Sequence, residues 1–213
     1  MLTPAFQIRQ CSNEACRLRY PASDRDVASE TCPRCGTPTT TVATLSATHQ
    51  SPATTTAGRL HLEVLLDNIR SVYNVGSMFR TADGAGIGHM HLCGITALPN
   101  HPRIAKTALG AEQALPWTTY RNGIDAVLAL KEQGYQVWAL ESGPRSESLF
   151  EATIAPDSRP ALLVVGNELV GVDPGILAHC DRVFALPMQG QKESLNAAVA
   201  FGIAIYTLRY NTV

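Results

Sequence analysis

Gly166-Asn167-Glu168-Leu169-Val170-Gly171-Val172 follows directly on an apolar run at residues 162–165. A second run at 183–186 leads into Leu186-Pro187-Met188-Gln189-Gly190 and then Ser194-Leu195-Asn196. Short apolar runs that end in glycines, amides and a carboxylate are buried strands whose carboxyl ends carry polar groups. Open α/β sheets bind ligands at those ends. Working outward, strands are expected at 60–66, 89–94, 136–140, 161–165 and 182–186, and helices at 75–85, 124–133 and 195–208. The helix at 124–133 shows an apolar stripe of Ile124, Val127, Leu128 and Leu130 and ends at Gly134, a residue suited to a C-cap. Each gap between strands is long enough for a crossover. The expected class is therefore α/β, a mainly parallel sheet with helices on both faces.

The chain has 213 residues, 45% of them apolar, and a net charge of −1. That suits one medium domain plus an appendage. No strong basic field is present, so any nucleic-acid contact must rest on a local patch. No apolar run approaches the ~20 residues of a membrane helix, and the N-terminus lacks a signal-peptide layout. A cytoplasmic setting with reduced thiols is expected, and no membrane partner.

Composition divides the chain into residues 1–36, 37–58 and 59–213. The middle zone holds nine threonines, two prolines and no charged residue, and reads as a linker. The first zone holds four of the six cysteines. Cys11 and Cys16 form one close pair, Cys32 and Cys35 another, and fifteen residues separate the pairs. This spacing matches a structural zinc site of four thiolates. A segment of 36 residues buries too little apolar surface to fold alone, and a metal supplies the missing free energy. Disulfides or a remnant knuckle without metal are the other readings of the quartet. The module resembles a zinc ribbon, and its arginines make it a candidate RNA contact. Cys93 and Cys180 sit in or beside apolar stretches and read as packed small hydrophobes.

Asn74 and Arg80 lie in the first helix of the α/β domain. If that helix starts near Asn74, the amide caps it and Arg80 projects about two turns on. An arginine near such a site can fork onto a phosphate, although an ion pair with Asp83 is the simpler expectation. Gly84, Gly86 and Gly88 follow a helix and precede a strand, the reverse of a dinucleotide fingerprint. His89 and His91 fall on one strand face and read as packing. No lysine-bearing phosphate loop and no nucleophile elbow is present.

Asn74-x-Gly76-x-x-x-Arg80-Thr81-Ala82-Asp83, Gly166-Asn167-Glu168 with Gly171, and Pro187-Met188 with Ser194-Leu195-Asn196 together resemble the three motifs of the SpoU/TrmH family of RNA 2′-O-methyltransferases. The resemblance covers about residues 60–210. It implies a C-terminal trefoil knot, a homodimer, S-adenosylmethionine as cofactor, and methyl transfer to a ribose hydroxyl of tRNA or rRNA, not DNA. Arg80 would be the catalytic arginine, supported by Asn74, with Glu168 and Asn196 organising the site. The cofactor would lie among Leu140, Gly166, Gly171, Leu186, Met188, Ser194 and Leu195. Leu169-Val170 stands where the family often has glycine after the glutamate, and Ala198 where it often has serine. A knotted RNA-binding module without catalysis, using the zinc ribbon for assembly, is the second reading open at this point.

Overall fold

The computed structural model describes residues 6–23, 30–45, 60–154 and 159–210. The chain separates into two compact units, Met1–Thr55 and Thr56–Val213.

In the first unit, β1 (Phe6–Cys11), β2 (Arg19–Ser23) and β3 (Thr39–Leu45) form an antiparallel sheet in the order β2-β1-β3. The strand β3 corrects the expectation that 37–58 is all linker. Four threonines and a valine within Thr39–Leu45 are β-branched and fit a pleated surface. Thr39 packs inward and pairs with Cys11, while Arg9 Nε donates to its Oγ1 at 2.7 Å. Residues 46–58 of that expected linker lie outside the described residues.

The second unit is built on seven strands: β4 (Leu62–Asp67), β5 (Met90–Cys93), β6 (Trp117–Tyr120), β7 (Gln136–Leu140), β8 (Glu147–Ser148), β9 (Ala161–Val165) and β10 (Arg182–Ala185). Their order is β6-β5-β4-β9-β7-β10-β8, and every ladder is parallel. The helices are α1 (Val72–Ala85), α2 (Ala105–Ala108), α3 (Ala111–Ala114), α4 (Gly123–Glu132), α5 (Pro174–Leu177) and α6 (Ala197–Tyr210). Helices α1 and α6 pack on one face through Met78, Phe79, Phe201, Ile205 and Leu208. Helices α4 and α5 cover the other through Val127, Leu130 and Ile176. Both faces being covered explains why β4 and β9 are buried at every position. Leu128, expected in the α4 stripe, is instead 40% exposed, because Ala126 and Val127 turn inward in its place.

Helix α6 runs alongside α1 in the same direction. Asn196 meets Asn74 at one end, and the buried Arg209 donates from Nε to the Ala85 carbonyl at the other, 3.1 Å away. Arg209 also donates to the carbonyl of Leu60, tying the last helix to the start of the unit. Among the described residues, no helix is long and apolar enough to cross a membrane.

A polar cluster crosses the strand starts. Glu63 accepts from His91 at 2.8 Å and from His61 at 3.2 Å, and His89 approaches Thr118 Oγ1 at 2.8 Å. The expected packing role of His91 is therefore a buried, bonded one. Burial alone would raise the Glu63 carboxyl, but hydrogen bonds from His91, Tyr135 and His61 outweigh it and bring it down to about 2. A depressed carboxylate adds stability above its unfolded value of ~4.3 and loses it as pH falls toward the folded value. Acid titration of wild type should thus lose about 2–3 kcal/mol between pH ~4.3 and ~2 that Glu63→Gln does not lose. Urea unfolding at stepped pH measures this, and equal slopes for both proteins would contradict it.

Candidate active site

The order of the sheet reverses beside β4: the chain runs outward through β5 and β6, then returns to the other side with β7, β9 and β10. Crevices at such reversals, at the carboxyl ends of strands, are where doubly wound sheets hold ligands. Here the crevice is a cavity of about 840 Å³ lined by the segments after β4, β7, β9 and β10 and by the start of α6. Leu140, Gly166, Gly171, Leu186, Met188, Ser194 and Leu195, all expected to hold a cofactor, line it together with Asn74, Glu168 and Asn196.

The segment after β9 is folded tightly on itself. Asn167 and Gly171 exchange both backbone hydrogen bonds at 2.9 Å. A Cβ on Gly166 would lie 2.3 Å from the Gly171 carbonyl and the Val172 nitrogen, so no other residue lets this turn close. Asn167 Nδ2 donates to the Asn68 carbonyl at 2.8 Å, fastening the turn to the end of β4. On the far side, Glu141 accepts from the Val172 N–H at 2.8 Å. Glu141 was not singled out from sequence. Its one signal is its place directly after the apolar strand ending at Leu140.

Glu168 is the hub of the three motifs. Its carboxylate accepts from the N–H groups of Arg70 at 2.8 Å and Ser71 at 3.0 Å, and from Asn74 Nδ2 at 3.0 Å. Asn74 Oδ1 in turn accepts from Asn196 Nδ2 at 3.2 Å. Burial would raise the Glu168 carboxyl, but these donors outweigh it and hold it below the ordinary carboxylate range. A carboxylate so engaged is a poor proton acceptor; Glu168 positions the turn after β9 against the start of α1.

The sequence expectation that Asn74 caps α1 and supports Arg80 is corrected: its amide bonds Glu168 and Asn196 instead. Ser71 caps α1, its Oγ accepting from the Asn74 N–H at 3.3 Å, because the helix begins three residues earlier at Val72. That frees the Asn74 amide to reach Glu168 and Asn196. Asn196 takes the capping role on α6, where Oδ1 accepts from the N–H groups of Ala198 at 2.9 Å and Val199 at 3.3 Å. Ala198 enters this cap through its backbone N–H. The N-termini of two fourteen-residue helices thus meet at the cavity mouth, and their dipoles favour negative charge.

Arg80 is not brought into the cavity. It is exposed on α1, six residues beyond Asn74 and roughly 9 Å farther along the axis. It lines a second, shallower depression with Ser77, Thr81, Lys106, Thr107 and Tyr206. No ion pair joins it to Asp83, the simpler partner expected from sequence. Gly76 sets this neighbourhood: a Cβ there would stand 2.1 Å from Thr107 Oγ1 and 2.7 Å from the Ile104 carbonyl. Its absence lets the turn carrying Lys106 sit directly on α1.

In the first unit, the Sγ atoms of Cys11, Cys16, Cys32 and Cys35 all lie within 4.8 Å of one another. Cys11 to Cys35 is 3.5 Å and Cys16 to Cys32 is 3.8 Å, and all four thiols are free. Four thiolates at ~2.3 Å from a tetrahedral zinc stand ~3.8 Å apart, so the quartet fits that ion. The Thr37 hydroxyl and N–H beside Cys35 lower its thiol to about 6, while burial pushes that of Cys11 up to about 12. Cys93 and Cys180 are buried in the second unit, as expected of packed thiols.

Known proteins resemble the second unit. The family model described as the SpoU rRNA Methylase family matches residues 61–206. The chain is 36% identical over 148 residues to the 23S rRNA (guanosine(2553)-2′-O)-methyltransferase RlmP of Bacillus subtilis, covering 68% of this chain and 57% of that protein. It is 31% identical to the tRNA (guanosine(18)-2′-O)-methyltransferase of Aquifex aeolicus, covering 68% and 67%. An AdoMet-bound rRNA methyltransferase from Sinorhizobium meliloti superposes with a TM-score of 0.66 at 28% identity, covering 72% of this chain and 57% of that one. A TrmH-family protein from Porphyromonas gingivalis gives 0.65 at 30%, covering 72% and 61%. The chain spans little more than half the length of several of these relatives. With the matched segment running through the whole cavity and all three motifs, the chain belongs to the SpoU rRNA methylase family.

Proposed function

We propose that this protein transfers a methyl group from S-adenosylmethionine to a ribose 2′-hydroxyl of tRNA or rRNA. The observation that carries the reading is the Glu168–Asn74–Asn196 chain of hydrogen bonds, which joins all three motifs at the mouth of one cavity. The cavity suits the cofactor: backbone groups of the turn closed by Gly166 face it beside the apolar Leu140, Leu186 and Leu195. Bound there, S-adenosylmethionine supplies a sulfonium methyl group that is already electrophilic.

The chain's own work is then alignment and charge. The α1 and α6 N-termini favour a phosphate near the mouth. An RNA strand laid along α1 from Asn74 would bring a phosphate to Arg80 and Lys106, whose guanidinium and ammonium would hold the strand so that its ribose meets the cavity mouth. With the cofactor bound, transfer would form the oxygen–carbon bond as the sulfur–carbon bond breaks, the hydroxyl proton passing to solvent. Holding donor and acceptor in line accounts for much of such a rate.

Four further parts complete the proposal. Zinc closes the cysteine quartet. The first unit, with Arg9, Arg17, Arg19 and Arg34, adds RNA affinity. The C-terminal segment is knotted, and the protein works as a homodimer in the cytoplasm. Outward-facing Val199, Tyr206 and Tyr210 of α6 offer apolar surface for a second copy. The test incubates the purified chain with methyl-labelled cofactor and RNA, then digests the RNA to nucleosides. Label in 2′-O-methylnucleosides is expected; label confined to bases, or none, would overturn the reading.

A further inference from the structure

The turn after β9 presents Leu169 and Val170 with 74% and 84% of their surface exposed, the two most exposed large hydrophobic residues among those described. They do not sit on a loose loop. Asn167 Oδ1 accepts from the Leu169 N–H at 2.9 Å and the Val170 N–H at 3.4 Å, inside the turn closed by Asn167 and Gly171. The backbone is fixed while both aliphatic side chains bury almost nothing within the chain. Paired apolar side chains held in this way mark a contact surface.

The position of the pair identifies the contact. Both residues stand on the rim of the cavity, and Arg70 stands on the same rim. Arg70 is held through its backbone N–H by Glu168, the residue preceding Leu169, and its exposed guanidinium makes no hydrogen bond or ion pair among the described residues. A fixed aliphatic pair beside a free guanidinium fits a nucleotide: the flat apolar face of a base lies on the first and a phosphate pairs with the second. The pair and Arg70 thus border the cavity in which a methyl donor would sit.

We propose that Leu169 and Val170 form the shelf on which a base of the target RNA, at or next to the modified nucleotide, is seated. Arg70 holds a phosphate of the same strand. These three residues set RNA affinity and target choice without touching the cofactor. The proposal rests on the reading of the chain as an RNA methyltransferase.

Leu169→Ser/Val170→Ser and, separately, Arg70→Gln test it in the full chain, with RNA from cells lacking the protein as substrate. The shelf variant should raise KM for RNA about tenfold, the loss expected when two partly buried aliphatic side chains are removed from a contact. Its kcat and its affinity for S-adenosylmethionine should stay within about twofold of wild type. Arg70→Gln should lower the slope of log affinity for RNA against log salt by about one. An unchanged KM in the shelf variant, or an unchanged salt slope in Arg70→Gln, overturns the proposal. So does a shelf variant whose KM rises only in step with lost self-association in sedimentation, which would seat the pair on a second copy of the chain. A wild-type protein that neither binds nor methylates RNA would instead overturn the functional reading itself, and the shelf with it.

Discussion

Arg80→Ala is expected to lower the rate of methyl transfer by about 10²-fold, the loss expected when a cation that holds the acceptor strand in line with the methyl donor is removed. Affinity for S-adenosylmethionine should be unchanged, because Arg80 lines the shallow depression beside Lys106 and not the cavity that would hold the cofactor. Folding should also be unchanged, since the residue is exposed and makes no hydrogen bond or ion pair among the described residues. Single-turnover rates with saturating RNA, set beside calorimetric titration of the cofactor, separate these quantities. Loss of cofactor binding together with activity would show that Arg80 shapes the cavity. Unchanged turnover would remove it from the chemistry. Glu168→Ala is the informative contrast: it leaves the N–H groups of Arg70 and Ser71 without their acceptor, so cofactor binding and catalysis should fall together.

Removal of zinc is expected to unfold the first unit and leave the second standing. Among its described residues, only Cys11, Ala22 and Cys32 are buried hydrophobics, and two of those belong to the cysteine quartet. Three strands around so little apolar surface cannot offset the entropy of ordering them, whereas a structural zinc contributes about 10–16 kcal/mol. One zinc per chain should therefore be found in the purified protein. A strong chelator should abolish the hydrogen-exchange protection of β1 to β3 and leave that of β4 and β9 intact. Cys32→Ser should act as the chelator does. Retained protection in metal-free protein would show that the quartet holds the fold by other means, the disulfide reading included.

Much of this was legible in the chain because the signals were local. Residues 161–165 form a short, wholly apolar run ending in a glycine and an amide, and such a run has few places other than a doubly covered strand. The cysteine spacing carried its meaning in two knuckles. What escaped reading depended on distant partners. Trp117–Tyr120 and Glu147–Ser148 are strands only because β5 and β10 supply their hydrogen bonds; one is mostly exposed and the other is two residues long. Thr39–Leu45 read as linker because a threonine run shows no apolar period, and only pairing with β1 makes it a strand. Asn74 reads locally as a helix cap and a support for Arg80, since nothing local shows that Ser71 opens α1 and that Glu168, 94 residues on, claims the amide. Glu141 carries no motif at all; its role appears only where its carboxylate meets Val172.

Ribose-methylation mapping across the RNA of cells with and without this protein tests the central claim most directly. The account predicts that one or a few 2′-O-methyl positions in tRNA or rRNA disappear without it. Those positions should be restored by adding purified wild-type protein and S-adenosylmethionine, and not by the Arg80→Ala variant. Identical maps, together with no transfer to that RNA by wild-type protein that binds the cofactor, would contradict it.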